Sequence, residues 1–316
     1  MLDPIVISAL RGRPFVLASD LLDLGIGPRR IAKAVQAGEL VRIRRGAFAV
    51  PPVDRQFGQA ELHRLRVRAT SKLSTGMVAS HLSAAAMHGL PLIGPWPTRV
   101  HVAAPGAAGG SSSAGMLAHR GGPEPEVVVV DGVMVTSLRR TLVDVASTCS
   151  MLTGVTMLDH ALGALSVGRD DLRAELDRVA PVRGAHACSA AIGFADGKSG
   201  GVGESLSRVR MFELGFQAPL LQTSVTTHLG SHDVDFEWPD VDLFGEFDGY
   251  VKYSRSEYMA GRTAEQVLFD EKRREDAIRG RTGRRFLRWV WDEAYDPGRF
   301  FRLLSEAGVP RARGTR

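Results

Sequence analysis

Apolar positions over residues 1–50 change from helical spacing to alternation. Phe15-Val16-Leu17 is a short apolar run, and Ser19 after it predicts a capped helix through Leu24, ended by Gly25. Pro28 stands where a helix start loses nothing by a missing N–H, so a second helix is expected from Pro28 to Ala37, stopped by Gly38. Ile31 and Val35 lie four apart on its inner face, while Arg29, Arg30 and Lys33 fall largely on the other side. From Leu40 to Arg44 the pattern alternates, with Val41 and Ile43 on one face and Arg42 and Arg44 on the other. Arg45-Gly46 turns the chain, and residues 47–50 return. Two short helices and then a basic hairpin predict a winged helix-turn-helix.

Residues 56–150 read as mixed α/β. Ser80 or Ser83 starts a helix through His88 that Gly89 ends, and residues 98–103 form a strand. Asp131-Gly132 tips a hairpin over 126–137, and a helix begins at Thr141. The glycine- and serine-rich stretch 106–115 reads as a loop between two strands. Three helices come next, over 151–165, 170–179 and 185–194. From residue 202 the pattern gives a helix to 214, strands near 220–226, 233–237 and 243–247, a helix over 263–279, a strand over 285–291 and a closing helix after Pro297. The expected class is α+β multidomain: residues 1–53 a winged helix-turn-helix, 54–150 a mixed α/β middle domain, 151–198 a helical linker, and 199–316 an αβββαβ domain.

With 44% apolar and 24% charged residues in 316, composition excludes a mainly disordered chain. The sequence has no run of about 18 apolar residues, so no membrane span is expected. Residues 1–10 do not form a secretory leader pattern. Two cysteines, Cys149 and Cys188, exclude a disulfide framework and a four-cysteine zinc site, and they read as small buried hydrophobes in a cytoplasmic protein. The net charge is +5. Its distribution says more than its size: eight basic residues against four acids in residues 1–50, an acidic block over 231–248 and a basic block over 272–288.

The first chemical expectation is double-stranded DNA. Arg29, Arg30 and Lys33 stand where a groove helix meets base edges or phosphates, and Arg42, Arg44 and Arg45 stand on the hairpin. The alternative is a solvated basic helix in an interaction domain. Residues 17–50 (LASDLLDLGIGPRRIAKAVQAGELVRIRRGAFAV) resemble the N-terminal winged-helix domain of AbiEi-family antitoxins. The segments ASHLSAAAMHGLPL (79–92), TRVHVA (98–103) and VTSLRRTLVDVA (135–146) resemble the region C-terminal to that domain in such proteins. The resemblance implies operator binding, repression of the protein's own operon and, as partner, a nucleotidyltransferase-like toxin in a type IV toxin-antitoxin system. A homodimer reading a palindrome is usual for such regulators. His81 and His88, seven apart, could share a helix face; a core or capping role is favoured over a metal or catalytic one. Arg139, Arg140 and Asp144 read as a helix salt bridge.

The second expectation concerns carboxylates. Asp235 lies mid-strand, and Glu246 and Asp248 lie two apart on the next strand, hence on one face. Acids on paired strands repel, and Mg²⁺ is an obvious offset, polarising a phosphate and activating water. Glu204 on the preceding helix is a further candidate ligand. This region resembles the PD-(D/E)XK restriction-endonuclease-like fold, near very-short-patch repair endonucleases, through GEFDGYVKY (245–253), FDEKRREDAIR (269–279) and RRFLRWVW (284–291). The resemblance implies a metal held by Glu204, Asp235, Glu246 and Asp248. The family's lysine is Asp248 here, so Lys252, Lys272 or Arg274 would supply the positive charge, with His228 and His232 near in sequence. The alternative is that Glu246 and Asp248 pair with Lys272, Arg274 or Arg285, leaving a scaffold. Trp289 and Trp291 are expected on one face of the last strand.

Three readings result: a DNA-binding regulator of the AbiEi-antitoxin kind, a Mg²⁺-dependent endodeoxyribonuclease with Asp235, Glu246, Asp248 and Lys252 as catalytic residues, and a toxin-neutralising interaction module.

Overall fold

A computed structural model describes residues 13–49, 58–104, 115–120, 122–180, 183–249 and 264–312. The fold is mixed α+β with several small sheets. The chain forms two compact units: residues 1–149 with 168–190, and residues 150–167 with 191–316.

The first unit opens with β1 (Val16–Leu17), α1 (Ala18–Asp23), α2 (Pro28–Gln36), β2 (Val41–Arg44) and β3 (Ala47–Ala49), the strands in the order β1-β3-β2. Val16, Leu21, Ile26, Ile31, Ala34, Leu40 and Phe48 make its core. Pro28 sits at the start of α2, and Gly25 and Gly38 take the left-handed backbone that lets the helices end where expected. Ser19, the expected cap, lies inside α1; the capping contact comes from Asp20, whose Oδ2 accepts from the Leu17 N–H at 3.0 Å.

Nothing in the hydrophobic pattern marks α3 (Gln59–Leu73) as a helix, because His63, Leu65 and Val67 alternate with Arg64, Arg66 and Arg68 like a strand. It is nevertheless helical, with buried positions on more than one side. Leu65 and Ala69 back the hairpin residues Ile43, Ala47 and Ala49. Next come α4 (His81–Met87), β4 (Val100–Ala104), β5 (Met116–Arg120), β6 (Val127–Val130), β7 (Val133–Thr136) and α5 (Leu138–Thr148). β4 and β5 are parallel, and β6 and β7 form the hairpin turned at Asp131-Gly132. Ala79 bridges both pairs, to Val102 on one side and Val135 on the other. Ser137 caps α5 by accepting from the Arg140 N–H. The helix α7 (Arg169–Val179) packs on α5.

The second unit takes α6 (Met151–Ala164), α9 (Val202–Glu213), β8 (Leu220–Thr227), β9 (Gly230–Trp238), β10 (Leu243–Phe247), α10 (Ala264–Thr282), β11 (Arg285–Trp289), α11 (Trp291–Tyr295) and α12 (Pro297–Glu306). Between α7 and α9 runs α8 (Ala185–Phe194), whose first residues belong to the first unit and its last to the second. The helices expected as a linker over 151–198 are thus shared between the two units. The strand order is β11-β10-β9-β8, with β10 and β11 parallel and the other pairs antiparallel. Trp238, Trp289, Phe236, Phe244 and Phe300 are fully buried. Gly245 lets the two indoles close in, since a methyl there would sit 2.7 Å from Trp289 and 3.0 Å from Trp238. Trp291 is not on the strand face with Trp289: it begins α11, where the Val290 N–H donates to Glu293 Oε2 at 3.0 Å and turns the chain into a helix.

Candidate functional site

Burial of Ile31 and Ala34 fixes the rotation of α2, and Arg29, Arg30 and Lys33 on the opposite side are exposed. Among the described residues none of the three is paired with a carboxylate. On the hairpin, Arg42 is exposed with its guanidinium 5.7 Å from the Phe48 ring centre, and Arg45 stands exposed at the turn. Arg44 departs from the expected alternation. The β2–β3 register shifts between Arg42 and Arg44, and this irregularity takes Arg44 off the solvent face. Its Nε and Nη1 are buried without a hydrogen-bond partner among the described residues, and burial pushes its guanidinium pKa down. Five of the six basic residues are therefore exposed, three on one helix and two on one hairpin.

In the second unit, Asp235 lies in β9 and Glu246 in β10, on paired strands. Asp235 Oδ2 accepts from the Phe247 N–H at 2.9 Å. Gln222, in left-handed backbone where β8 skips a pair with β9, sets its amide 3.0 Å from Glu204 Oε2 and 3.4 Å from Asp235 Oδ1. Glu204, in the first turn of α9, also accepts from the Gly200 N–H at 2.9 Å. Glu246 is buried and faces two arginines: Arg274 Nη2 at Oε1, and Arg288 Nη2 at 2.9 Å from Oε2. Burial raises its carboxyl pKa, both arginines pull it back down, and the neighbouring Asp235 adds to the rise. Arg288 also pairs with Glu271 and Glu275. Asp248 lies just beyond β10; its N–H donates to Trp289 O at 2.8 Å, and its buried Oδ1 has no hydrogen-bond partner among the described residues.

Mg²⁺ requires several oxygen donors in near-octahedral array. These residues do not fit it as they stand, because both Glu246 oxygens face guanidinium groups. Among the described residues no three His, Cys, Asp or Glu side chains are grouped to hold a metal ion. Lys252 lies outside the described residues. His228 is exposed at the β8–β9 turn, and His232, three residues before Asp235 on one strand, falls on the opposite face. Arg288, Glu271 and Gln222 were not singled out by sequence. The carboxylates themselves are conspicuous there, but their cationic partners come from elements far along the chain.

His81 and His88 do not come together as a site. His88, just after α4, places Nε2 2.8 Å from Thr136 O, a satisfied structural contact. Arg140 and Asp144 form the expected helix pair, 2.8 Å apart and buried. Cys188 is buried and Cys149 partly so, and burial raises both thiols.

Among the described residues, no helix is long and apolar enough to cross a membrane. Two curated proteins of Mycobacterium tuberculosis are each 31% identical to this chain over 120 residues: "Uncharacterized protein MT2308" (strain CDC 1551 / Oshkosh) and "Uncharacterized protein Rv2248" (strain H37Rv). The similarity takes in 38% of this chain and spans 44%, less than half, of each relative's length. A solved structure, "Crystal structure of RV2827C protein from Mycobacterium tuberculosis", is 20% identical, covering 60% of this chain and 76% of that one with a TM-score of 0.38. Residues 3–51 match the family model described as "Transcriptional regulator, AbiEi antitoxin", so the N-terminal region of this chain is similar to AbiEi antitoxins.

Proposed function

We propose that the protein is a DNA-binding transcriptional regulator of the AbiEi-antitoxin kind. The observation that carries this is the coincidence of the family match over residues 3–51 with five exposed basic residues on α2 and the β2–β3 hairpin. In this reading those elements are the recognition helix and wing of a winged helix-turn-helix. Arg29, Arg30 and Lys33 enter a groove, and Arg42 and Arg45 contact phosphates. A homodimer would read a palindromic operator, and a nucleotidyltransferase-like toxin would be the protein partner. The test is a gel shift with the DNA upstream of the protein's own operon. The Arg29→Ala/Arg30→Ala variant is expected to lose retention at moderate salt; unchanged retention would sink the groove-reading assignment.

For the second unit we infer a restriction-endonuclease-like scaffold. Its support is the helix, three strands, helix, strand order with a mixed four-stranded sheet. A fold does not carry its relatives' chemistry with it. The Arg274 and Arg288 pairs on Glu246 favour a charge-balanced structural cluster over Mg²⁺-dependent DNA cleavage. No catalytic step is derived for this unit.

A further inference from the structure

A cavity of about 350 Å³ lies in the first unit, beside the start of α4. Its lining includes His81 from α4, His119 and Arg120 from β5, Arg140 and Asp144 from α5, and Arg183. The rings of His81 and His119 stack at 3.4 Å between centres and 16° between planes. His119 Nε2 and His101 Nδ1 are 3.1 Å apart, one donating to the other. His81 Nδ1 lies 3.1 Å from Ser80 Oγ and 3.7 Å from Asp144 Oδ2. Imidazoles packed this closely cannot all be charged. Burial, then the neighbouring imidazoles, lower His81 to about 2 and His101 to about 4, and burial lowers His119. Each ring is neutral at pH 7 and keeps one N–H.

His81 is held at φ +49°, a left-handed conformation that a non-glycine residue keeps only where its surroundings fix it. The charges around the cavity are unbalanced. Asp144 is the one acid in the lining among the described residues, and Arg140 Nε holds it at 2.8 Å. Arg120 and Arg183 are exposed and have no carboxylate partner among the described residues.

We propose that this cavity binds a small ligand through a phosphate group. Its volume lies within the range of small-molecule sites. Guanidinium and imidazole N–H groups are the donors that phosphate oxygens prefer. Asp144, already held by Arg140, leaves the field of Arg120 and Arg183 uncancelled. Buried His81 is beyond the reach of a duplex backbone, which favours a small molecule. His81 faces His119 and His101 from the strands and Arg140 and Asp144 from α5, so a neutral donor and guanidinium groups meet in one place. The proposal is independent of the DNA-binding reading, because it concerns other residues and another ligand.

The test is isothermal calorimetry on the full chain with inorganic phosphate and with adenosine 5′-monophosphate, at ionic strength matched with sodium chloride. Saturable binding is expected, weakened at least about tenfold in Arg120→Ala/Arg183→Ala. Those side chains are exposed, so the variant should keep the wild-type melting temperature. Tighter binding of the nucleotide would name an organic phosphate, and equal binding the free anion; either supports the site. No saturable binding of either probe, or equal affinity in the arginine variant, would overturn it, as would binding displaced only by duplex DNA.

Discussion

Arg208 donates from Nη1 to Asp159 Oδ2 at 2.7 Å, and both side chains are buried in the second unit. Asp159 also accepts from Ser205 Oγ and from the Asp196 N–H, while Arg208 Nη2 reaches Phe194 O at 2.8 Å. Burial raises the Asp159 carboxyl pKa, and the guanidinium pulls it back. The pair joins α6 to α9 and the end of α8. Removing one partner leaves the other charge buried alone, at a cost of about 3–5 kcal/mol. Asp159→Ala should lose about that much in urea unfolding, and Asp159→Leu/Arg208→Met much less. Equal losses in the two variants would show that packing, not charge, holds this joint.

The six basic residues of the proposed DNA interface divide by exposure, and salt dependence should reveal it. Each lost phosphate contact lowers the slope of log K against log salt by about 0.9. Arg42→Ala and Arg45→Ala should each flatten the slope by about that amount where the contact is to phosphate. Arg44→Ala, at a half-buried residue whose Nε and Nη1 are shielded from solvent, should leave the slope unchanged and shift the thermal midpoint instead. A flattened slope in Arg44→Ala would put its guanidinium on the DNA.

How much of this was legible in the sequence depends on range. Local chemistry read correctly: Pro28 opens a helix, Gly25 and Gly38 come just after helix ends, and Asp131-Gly132 turns a hairpin, because each signal acts within a few residues. Trp289 and Trp291 alternate like a strand, but Glu293 captures the Val290 N–H and starts a helix between them. The arginines of α3 imitate strand alternation and hid a helix. The partners of Glu246, and the meeting of His81 with His119, depend on tertiary pairing between distant segments, which no spacing along the chain records.

Glu246 offers a test of the scaffold reading. With Arg274 and Arg288 as its partners, Glu246→Gln should lower the thermal midpoint, and millimolar Mg²⁺ should not raise that of the wild type. A wild-type midpoint that climbs with Mg²⁺, together with nicking of plasmid DNA that Glu246→Gln abolishes, would restore the nuclease reading.

Acid should weaken the first unit through its neutral histidines. His63 is buried, set 3.0 Å from Ser83 Oγ and stacked on Trp96, and burial lowers it to about 4. Its folded pKa is therefore below that of the unfolded chain. Its contribution is intact above the ordinary histidine value of 6.5 and is lost as pH falls toward 4. The slope is at most about 1.4 kcal/mol per pH unit. Asp144, Asp159 and Glu246, whose carboxyls burial raises, act in the opposite sense, so the difference between variant and wild type isolates the histidine. Urea midpoints of His63→Gln should vary less steeply than wild type between about pH 7 and about pH 5. Parallel curves would refute the assignment.

The alternation of segments between the two units bears on how the chain is made. A ribosome releases residues in order, and α6 of the second unit emerges before α7 of the first. The nascent first unit cannot complete its packing until α7 has left the exit tunnel and reached α5. Throughout that interval α6 waits for α9, the side it will bury left uncovered.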